Sequence, residues 1–406
     1  MMRLSNHCFC LLAAALGLQA CSVPEPASPA AVVAAATEPS LRDRYSRSPQ
    51  DWPAATIDAG VAFVELGPIE KSTQPADPQS TARVDLGKAL FFDARISGSG
   101  HMACASCHDA DLGFADGRTT SFGHGFQPLR RNAPSILNVG SLPTLFWDGR
   151  AKTLEDQALM VFENADEMHT SGGAIVETLS QSQGYRERFA AAYGDDAITL
   201  PRTLQAIAAF EATVRSDGSS AFDRFVAGDR EAMDDDAILG LHLFRTKARC
   251  VNCHHGPLLT DHSFHDLGLS YYGRELEDLG RYRVTKDTKD VGRFKTPSLR
   301  NVTRTAPYMH NGLFDLAGVV NMYSAGMATL RKKAGQEGDP LFPTKSPLLK
   351  RLDLSVDEKR ALIAFLHALE ERRRRVRPPK LPRSAPHKPA VSMHGRLLLL
   401  ATTSGV

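Results

Sequence analysis

Two five-residue stretches hold the residues best suited to chemistry. Cys104-Ala105-Ser106-Cys107-His108 and Cys250-Val251-Asn252-Cys253-His254 both read C-x-x-C-H. Two thiols three positions apart on one helical turn reach the two vinyl groups of a haem, and the following His then projects beneath the ring as an axial iron ligand. A C-x-x-C pair without the His would suit zinc or a redox dithiol equally well. The His after each pair, and the 143-residue offset from Cys107 to Cys250, separate this pattern from a four-thiolate zinc site. The motifs therefore predict two covalently bound haem c groups. His108 and His254 are the proximal ligands, and Cys104, Cys107, Cys250 and Cys253 the points of attachment.

These motifs need a scaffold, and 406 residues, 42% hydrophobic and 23% charged, suffice for two ordinary domains. The other three of the seven cysteines, Cys8, Cys10 and Cys21, fall in an N-terminal segment, so none remains for a structural disulfide. That segment carries Arg3 and then an apolar run from Cys8 to Leu18. The run is shorter than the roughly 20 residues a bilayer requires and reads as the core of a signal peptide over 1–21. It ends in Leu18-Gln19-Ala20-Cys21, similar to a lipobox with Cys21 as the lipidated residue, although Gln19 is not the usual small residue. The expectation is export to the periplasm with a lipid anchor at Cys21. Residues 22–48, rich in Ala, Pro and Ser, read as a flexible linker.

The globular body is expected over about 51–371, and within it a short repeat recurs. Leu86-Gly87-x-x-Leu90-Phe91 precedes the first motif and Leu239-Gly240-x-x-Leu243-Phe244 the second, each reading as a helix that packs beside a haem. Asp234, Asp235 and Asp236 suit the start of the second helix. A further helix is predicted from about Leu200 to Arg215, followed by a boundary at Ser216-Asp217-Gly218-Ser219. Strand signals are few. The fold class expected is mainly α: two cytochrome-c-like haem domains with long loops, over 51–215 and 216–371. From Arg372 onward there are nine Lys/Arg and no Asp or Glu, and subtracting these from the net +2 leaves residues 1–371 at −7. Residues 372–406 read as a basic disordered tail, and no aromatic interleaving in it points to nucleic acid.

Longer blocks carry a resemblance. Leu86-Gly87-Lys88-Ala89-Leu90-Phe91-Phe92, Arg131-Asn132-Ala133-Pro134, Phe146-Trp147-Asp148-Gly149-Arg150, Thr296-Pro297-Ser298-Leu299-Arg300-Asn301 and Ala306-Pro307-Tyr308-Met309-His310-Asn311-Gly312 stand in order between Leu86 and His367. Over this span the chain resembles the bacterial dihaem cytochrome c peroxidases and their relative MauG. The resemblance implies that the His108 haem is the peroxide site. His124, in Gly123-His124-Gly125, matches a displaceable distal ligand, Glu167 a proton-handling carboxylate and Gln157 its polar neighbour. Trp147 matches a tryptophan placed between the haems, and His310 a histidine near the second haem. Calcium ligands carry over onto the Asn132 side chain and the Thr305 and Pro307 carbonyls, oxygen donors that suit a hard cation.

At the second haem, peroxidases of the usual type use Met as the sixth ligand. In Leu316-Ala317-Gly318-Val319-Val320-Asn321-Met322-Tyr323 the family spacing lands on Tyr323, as in MauG. Met322 is adjacent, but one residue turns a helix by about 100°, and Met327 lies further on. His255, His262 and His265 read as loop residues. The activity implied is reduction of hydrogen peroxide to water with electrons from a small cytochrome c or cupredoxin. The alternative is a MauG-like enzyme that uses peroxide to oxidise residues of a partner protein through a bis-ferryl state. An electron carrier with both irons permanently six-coordinate ranks below both. A homodimer is compatible with either enzyme.

Overall fold

The computed structural model describes residues 38–69, 77–372 and 376–383. In chain order these form helices α1 (Leu41–Tyr45), α2 (Pro78–Phe91), α3 (Leu154–Glu163), α4 (Gly172–Ser180), α5 (Gln183–Tyr193), α6 (Leu200–Glu211), α7 (Ala221–Val226), α8 (Asp235–Arg245), α9 (Tyr282–Thr285), α10 (Leu316–Ser324) and α11 (Val356–Ala368). The sheet they contain is one antiparallel pair, β1 (Phe264–Asp266) with β2 (Arg293–Lys295), in register Phe264 to Lys295. The architecture is mainly helical, with short 3₁₀ turns and long loops between the helices. No described helix is long and apolar enough to cross a membrane.

The two Leu-Gly helices do the same job in the two halves. Asp77 caps α2 by accepting the Ser80 N–H at 2.8 Å, and Asp234 caps α8 by accepting the Ala237 N–H at 2.7 Å. Each helix then crosses a partner so closely that only glycine fits. A Cβ on Gly87 would stand 1.7 Å from the Ala206 carbonyl oxygen of α6, and one on Gly240 2.0 Å from that of Ala361 in α11. One turn along each partner, the Cβ atoms of Phe210 and Phe365 would lie 3.0 and 2.7 Å away. The repeat thus extends to a second helix, Ala206-x-x-x-Phe210 answering Ala361-x-x-x-Phe365. Gly240→Ala is expected to force the α8–α11 crossing apart and cost about 1–3 kcal/mol. Gly67, whose Cβ would meet nothing within 4 Å, provides the control, its alanine variant staying within about 0.5 kcal/mol. Chemical denaturation compares them, and equal midpoints would contradict the close crossing.

Buried apolar side chains gather around these crossings. Leu86, Leu90, Phe162, Phe189 and Ile207 form one cluster, and Phe91, Ile136, Val139 and Phe210 belong to a separate one that packs against Cys104 and Ala105 of the first motif. Phe222, Leu241, Phe244, Val251 and Phe365 form the cluster beside the second motif. Tyr45, Trp52 and Leu66 join this last cluster although they precede the first motif in sequence, which amends the expected 51–215 unit at its N-terminal edge. Arg300, with its side chain sealed from solvent, donates to Asp223 at 2.6 Å and to the Pro257 and Gly67 carbonyls at 2.9 Å each. The Ser216–Ser219 break is also held: the Asp217 and Gly218 N–H groups donate to Glu371 Oε1 at 2.8 and 3.0 Å.

Three expectations are corrected. Residues 38–48, assigned to the flexible linker, contain α1 with a capping box between Ser40 and Asp43, and Tyr45 is wholly buried. Residues 376–383, assigned to the disordered tail, run along α5: the Arg383 carbonyl accepts the Ser182 hydroxyl at 2.9 Å, and Leu381 packs on the first cluster. Helix α6 ends at Glu211, four residues before the predicted Arg215. The rest of the linker, the signal segment with Cys21, and residues 384–406 lie outside the described residues.

Candidate functional site

Each C-x-x-C-H stretch forms one 3₁₀ turn, with the His108 and His254 N–H groups donating to the Cys104 and Cys250 carbonyls at 3.0 and 2.8 Å. Each turn lines a cavity. The first, about 600 Å³, is lined by Cys104, Cys107 and His108 with Met102, Ile136, Val139, Leu142 and Phe162. The second, about 270 Å³, is lined by Cys250, Cys253 and His254 with Phe244, Leu267, Leu316, Val320 and Leu366.

Both histidines are aimed the same way. His108 Nδ1 lies 3.1 Å from the Phe114 carbonyl and His254 Nδ1 3.0 Å from that of Leu259. A carbonyl only accepts, so Nδ1 carries the proton and the Nε2 lone pair is left for a metal. Burial lowers both imidazole pKa values, favouring the neutral, ligating form. Burial also pushes the Cys107 thiol up to about 11 and those of Cys250 and Cys253 to about 12, and raises Cys104 as well. A wall this hostile to thiolates suits uncharged thioethers and disfavours zinc. All four cysteines are free, so the donor set and the apolar cavities fit two covalent haems.

The polar side of the first cavity comes from α3 and the turn after it. Gln157, Ala158, Val161 and Phe162 lie on one face of α3 and line the cavity with Glu167. Burial raises the Glu167 carboxyl pKa, opposed by the charge of Arg150 and a hydrogen bond from Asn164. Arg150 stacks on Phe146 at 3.4 Å and pairs with Asp148 at 3.1 Å. Glu211 lines the same cavity, and burial pushes its carboxyl up to about 8.

His124 lies beside this cavity and is not part of its lining. Its N–H donates to the Asp166 carbonyl at 2.9 Å, its ring packs on His169 at 4.4 Å, and its buried Nδ1 has no hydrogen-bond partner. A Cβ on Gly123 would meet the Asp166 oxygen at 1.8 Å. The His124 loop therefore rests directly on the turn that carries Glu167.

Trp147 lines both cavities, as do Asn132, Pro134, Phe146 and Lys295. Its indole N–H donates to the Asn132 carbonyl at 2.9 Å, and the Asn132 N–H donates to the His310 carbonyl at 2.8 Å. His310 is buried, stacks on Phe294 at 3.7 Å and lines the second cavity, where burial lowers its pKa to about 4. The Arg131 guanidinium clamps this wall, donating to Asp148 and Asp278 at 2.6 Å each.

Tyr323 of α10 lines the second cavity, while its neighbour Met322 and Met327 beyond the helix do not. Burial near Cys250 and Cys253 raises the Tyr323 phenol pKa. Asn132, Thr305 and Pro307 line this cavity together, and the Asn132 amide donates to the Arg118 carbonyl at 2.8 Å, leaving its oxygen end for a cation. Of the three histidines read as loop residues, His255 is buried against Phe63 and His262 lies in a turn with φ +56°. His265 departs from that reading: it sits in β1, pairs with Asp261 at 2.7 Å and lines the second cavity. Among the cavity residues, Arg150 lies in the Phe146–Arg150 segment with nothing local to mark it out, and Glu211 and Lys295 carry no local signal; nor does His169, which packs on His124.

Comparison with known proteins supports the same assignment. Residues 81–231 match the family model described as di-haem cytochrome c peroxidase. The chain is 38% identical over 338 residues to cytochrome-c peroxidase IdrP1 of Pseudomonas sp. (strain SCT), covering 76% of this chain and 86% of that protein. It is 37% identical over 329 residues to methylamine utilization protein MauG of Methylophilus methylotrophus, covering 78% and 93%. A solved MauG-like protein associated with microbial copper homeostasis superposes with a TM-score of 0.66 at 34% identity, covering 75% of this chain and 93% of that one. Two haem-attachment turns on paired helix crossings, joined by a shared wall, thus agree with similarity over three-quarters of the sequence: the chain belongs to the di-haem cytochrome c peroxidase family.

Proposed function

We propose that the protein reduces hydrogen peroxide to water at the first cavity, using electrons from a small cytochrome c or cupredoxin that enter through the second. The observation that carries this reading is the desolvated Glu167 carboxyl on the wall that also holds His108 and Gln157. When bound, haem iron supplies peroxide ligation and the two electrons. The protein's task is to move a proton. Glu167 takes it from the oxygen that stays and returns it to the oxygen that leaves, so that H2O2, two electrons and two protons become two waters. Gln157 holds the oxidant by hydrogen bonding, and the apolar lining excludes water. His124, on its glycine-flanked loop beside the cavity, would be the ligand displaced to admit peroxide, and Trp147 would be the relay across the shared wall. A calcium ion held by Asn132, Thr305 and Pro307 would keep that wall in place. Residues 1–21 direct export, and Cys21 anchors the enzyme in the periplasm.

Mixing the holoprotein with peroxide and a reduced small cytochrome c is expected to give catalytic oxidation of the cytochrome, followed by absorbance. Absence of peroxide-dependent turnover in protein carrying both haems, including after partial reduction, would overturn the reading. Tyr323 favours a second one, peroxide-driven oxidation of residues in a partner protein. A phenolate ligand would stabilise oxidised iron and let oxidising equivalents persist. This reading expects a peroxide-induced absorbance change that lasts for minutes without an electron donor.

A further inference from the structure

Lys295 is the charged residue on the shared wall, and neither proposed step uses it. It ends β2, where alternation along the strand sends it away from the side that places Phe294 against His310. Its backbone N–H donates to the Trp147 carbonyl at 2.8 Å, and its Nζ donates to the Thr144 carbonyl at 2.8 Å. The residue lines both cavities. Burial alone acts on its ammonium, lowering the pKa to about 8, and no carboxylate among the described residues offsets it. A cation left in this state is costly, while neighbouring cations on the wall are paired: Arg131 with Asp148 and Asp278, Arg150 with Asp148.

We infer that Lys295 is the counter-ion for haem carboxylates where the two cavities meet. An ammonium has three donors; one is spent on Thr144, and two remain for propionate oxygens. The ion pair would hold a haem edge against the residue whose backbone also fixes Trp147, so Lys295 is a positioning residue for the relay. The inference rests on both cavities holding haem and not on which reaction follows.

The test uses holoprotein with two haems per chain by pyridine haemochrome, read by spectroelectrochemistry without peroxide. Lys295→Met is expected to make at least one haem tenfold harder to reduce at pH 7, a fall of about 59 mV for a one-electron couple. The unpaired propionate should also make that midpoint climb again as pH falls and the carboxylate takes a proton. Lys295→Arg keeps the charge and restores wild-type behaviour. Two haems in Lys295→Met with both midpoints unchanged would overturn the pairing. Should the Met variant lose a haem, Lys295→Gln and Lys295→Arg decide. Loss from both neutral variants but not from Arg supports the pairing, and loss from all three refutes it. Because no peroxide is present, a protein that proves inactive as a peroxidase still gives a clear answer here, whereas wild type lacking haem would defeat both readings.

Discussion

Glu167→Gln is expected to lower peroxide-dependent turnover by about 10²- to 10⁴-fold, the contribution of a positioned proton carrier, with both haems retained. Gln preserves shape and hydrogen bonding but cannot cycle a proton. The environment explains why a carboxyl works here near neutral pH. Burial disfavours the charged form of Glu167 and raises its pKa, and the Arg150 charge checks the rise. The group must be ionised to accept the first proton, so the wild-type rate should fall as pH drops through this raised pKa, at a higher pH than an ordinary carboxylate would set. The Gln variant should lose that limb. Arg150→Met removes the opposing charge and should move the limb to higher pH. The measurement is kcat against pH with a reduced cytochrome as donor. Full turnover in Glu167→Gln would remove Glu167 from the proposed chemistry.

What was legible in the sequence was local. A C-x-x-C-H turn is five contiguous residues whose geometry follows from one hydrogen-bonded turn, and the Leu-Gly repeat announces two helices. The glycines are required by carbonyls that α6 and α11 press against them, a contact made with residues 119 and 121 positions further along. Lys295 and Arg150 acquire meaning only through partners brought close by folding, so neither could be singled out from its neighbours in sequence. The misread ends have another cause. The linker and tail were judged by average composition, yet one anchor in each, Tyr45 and Leu381, is enough to dock its segment onto an apolar cluster. Helical phase is a local signal of the first kind: the 100° step between Met322 and Tyr323 leaves Tyr323 and not Met322 on the second cavity.

That step leads to the second large effect. Tyr323→Met is expected to raise the midpoint of the second haem by about 0.2–0.5 V, within the roughly 0.8 V that axial ligands span. Burial near Cys250 and Cys253 makes an isolated Tyr323 phenolate unfavourable, so only a cation at the ligand position would stabilise the anion there. Once formed, the phenolate favours oxidised iron. A thioether is neutral and soft, removing that preference and favouring the reduced state. Met322→Leu, off the cavity, should leave the midpoint in place. Spectroelectrochemistry of the three proteins reads the difference, and a second-haem midpoint indifferent to Tyr323→Met would show that the phenol is not on the iron. The same variant separates the two activities. A second haem that accepts electrons more readily should speed cytochrome oxidation and shorten the peroxide-induced absorbance change. If wild type already turns over rapidly and shows no lasting change, Tyr323 is compatible with a peroxidase. If speed appears only in the Met variant, the native tyrosine holds the oxidising equivalents for a partner protein.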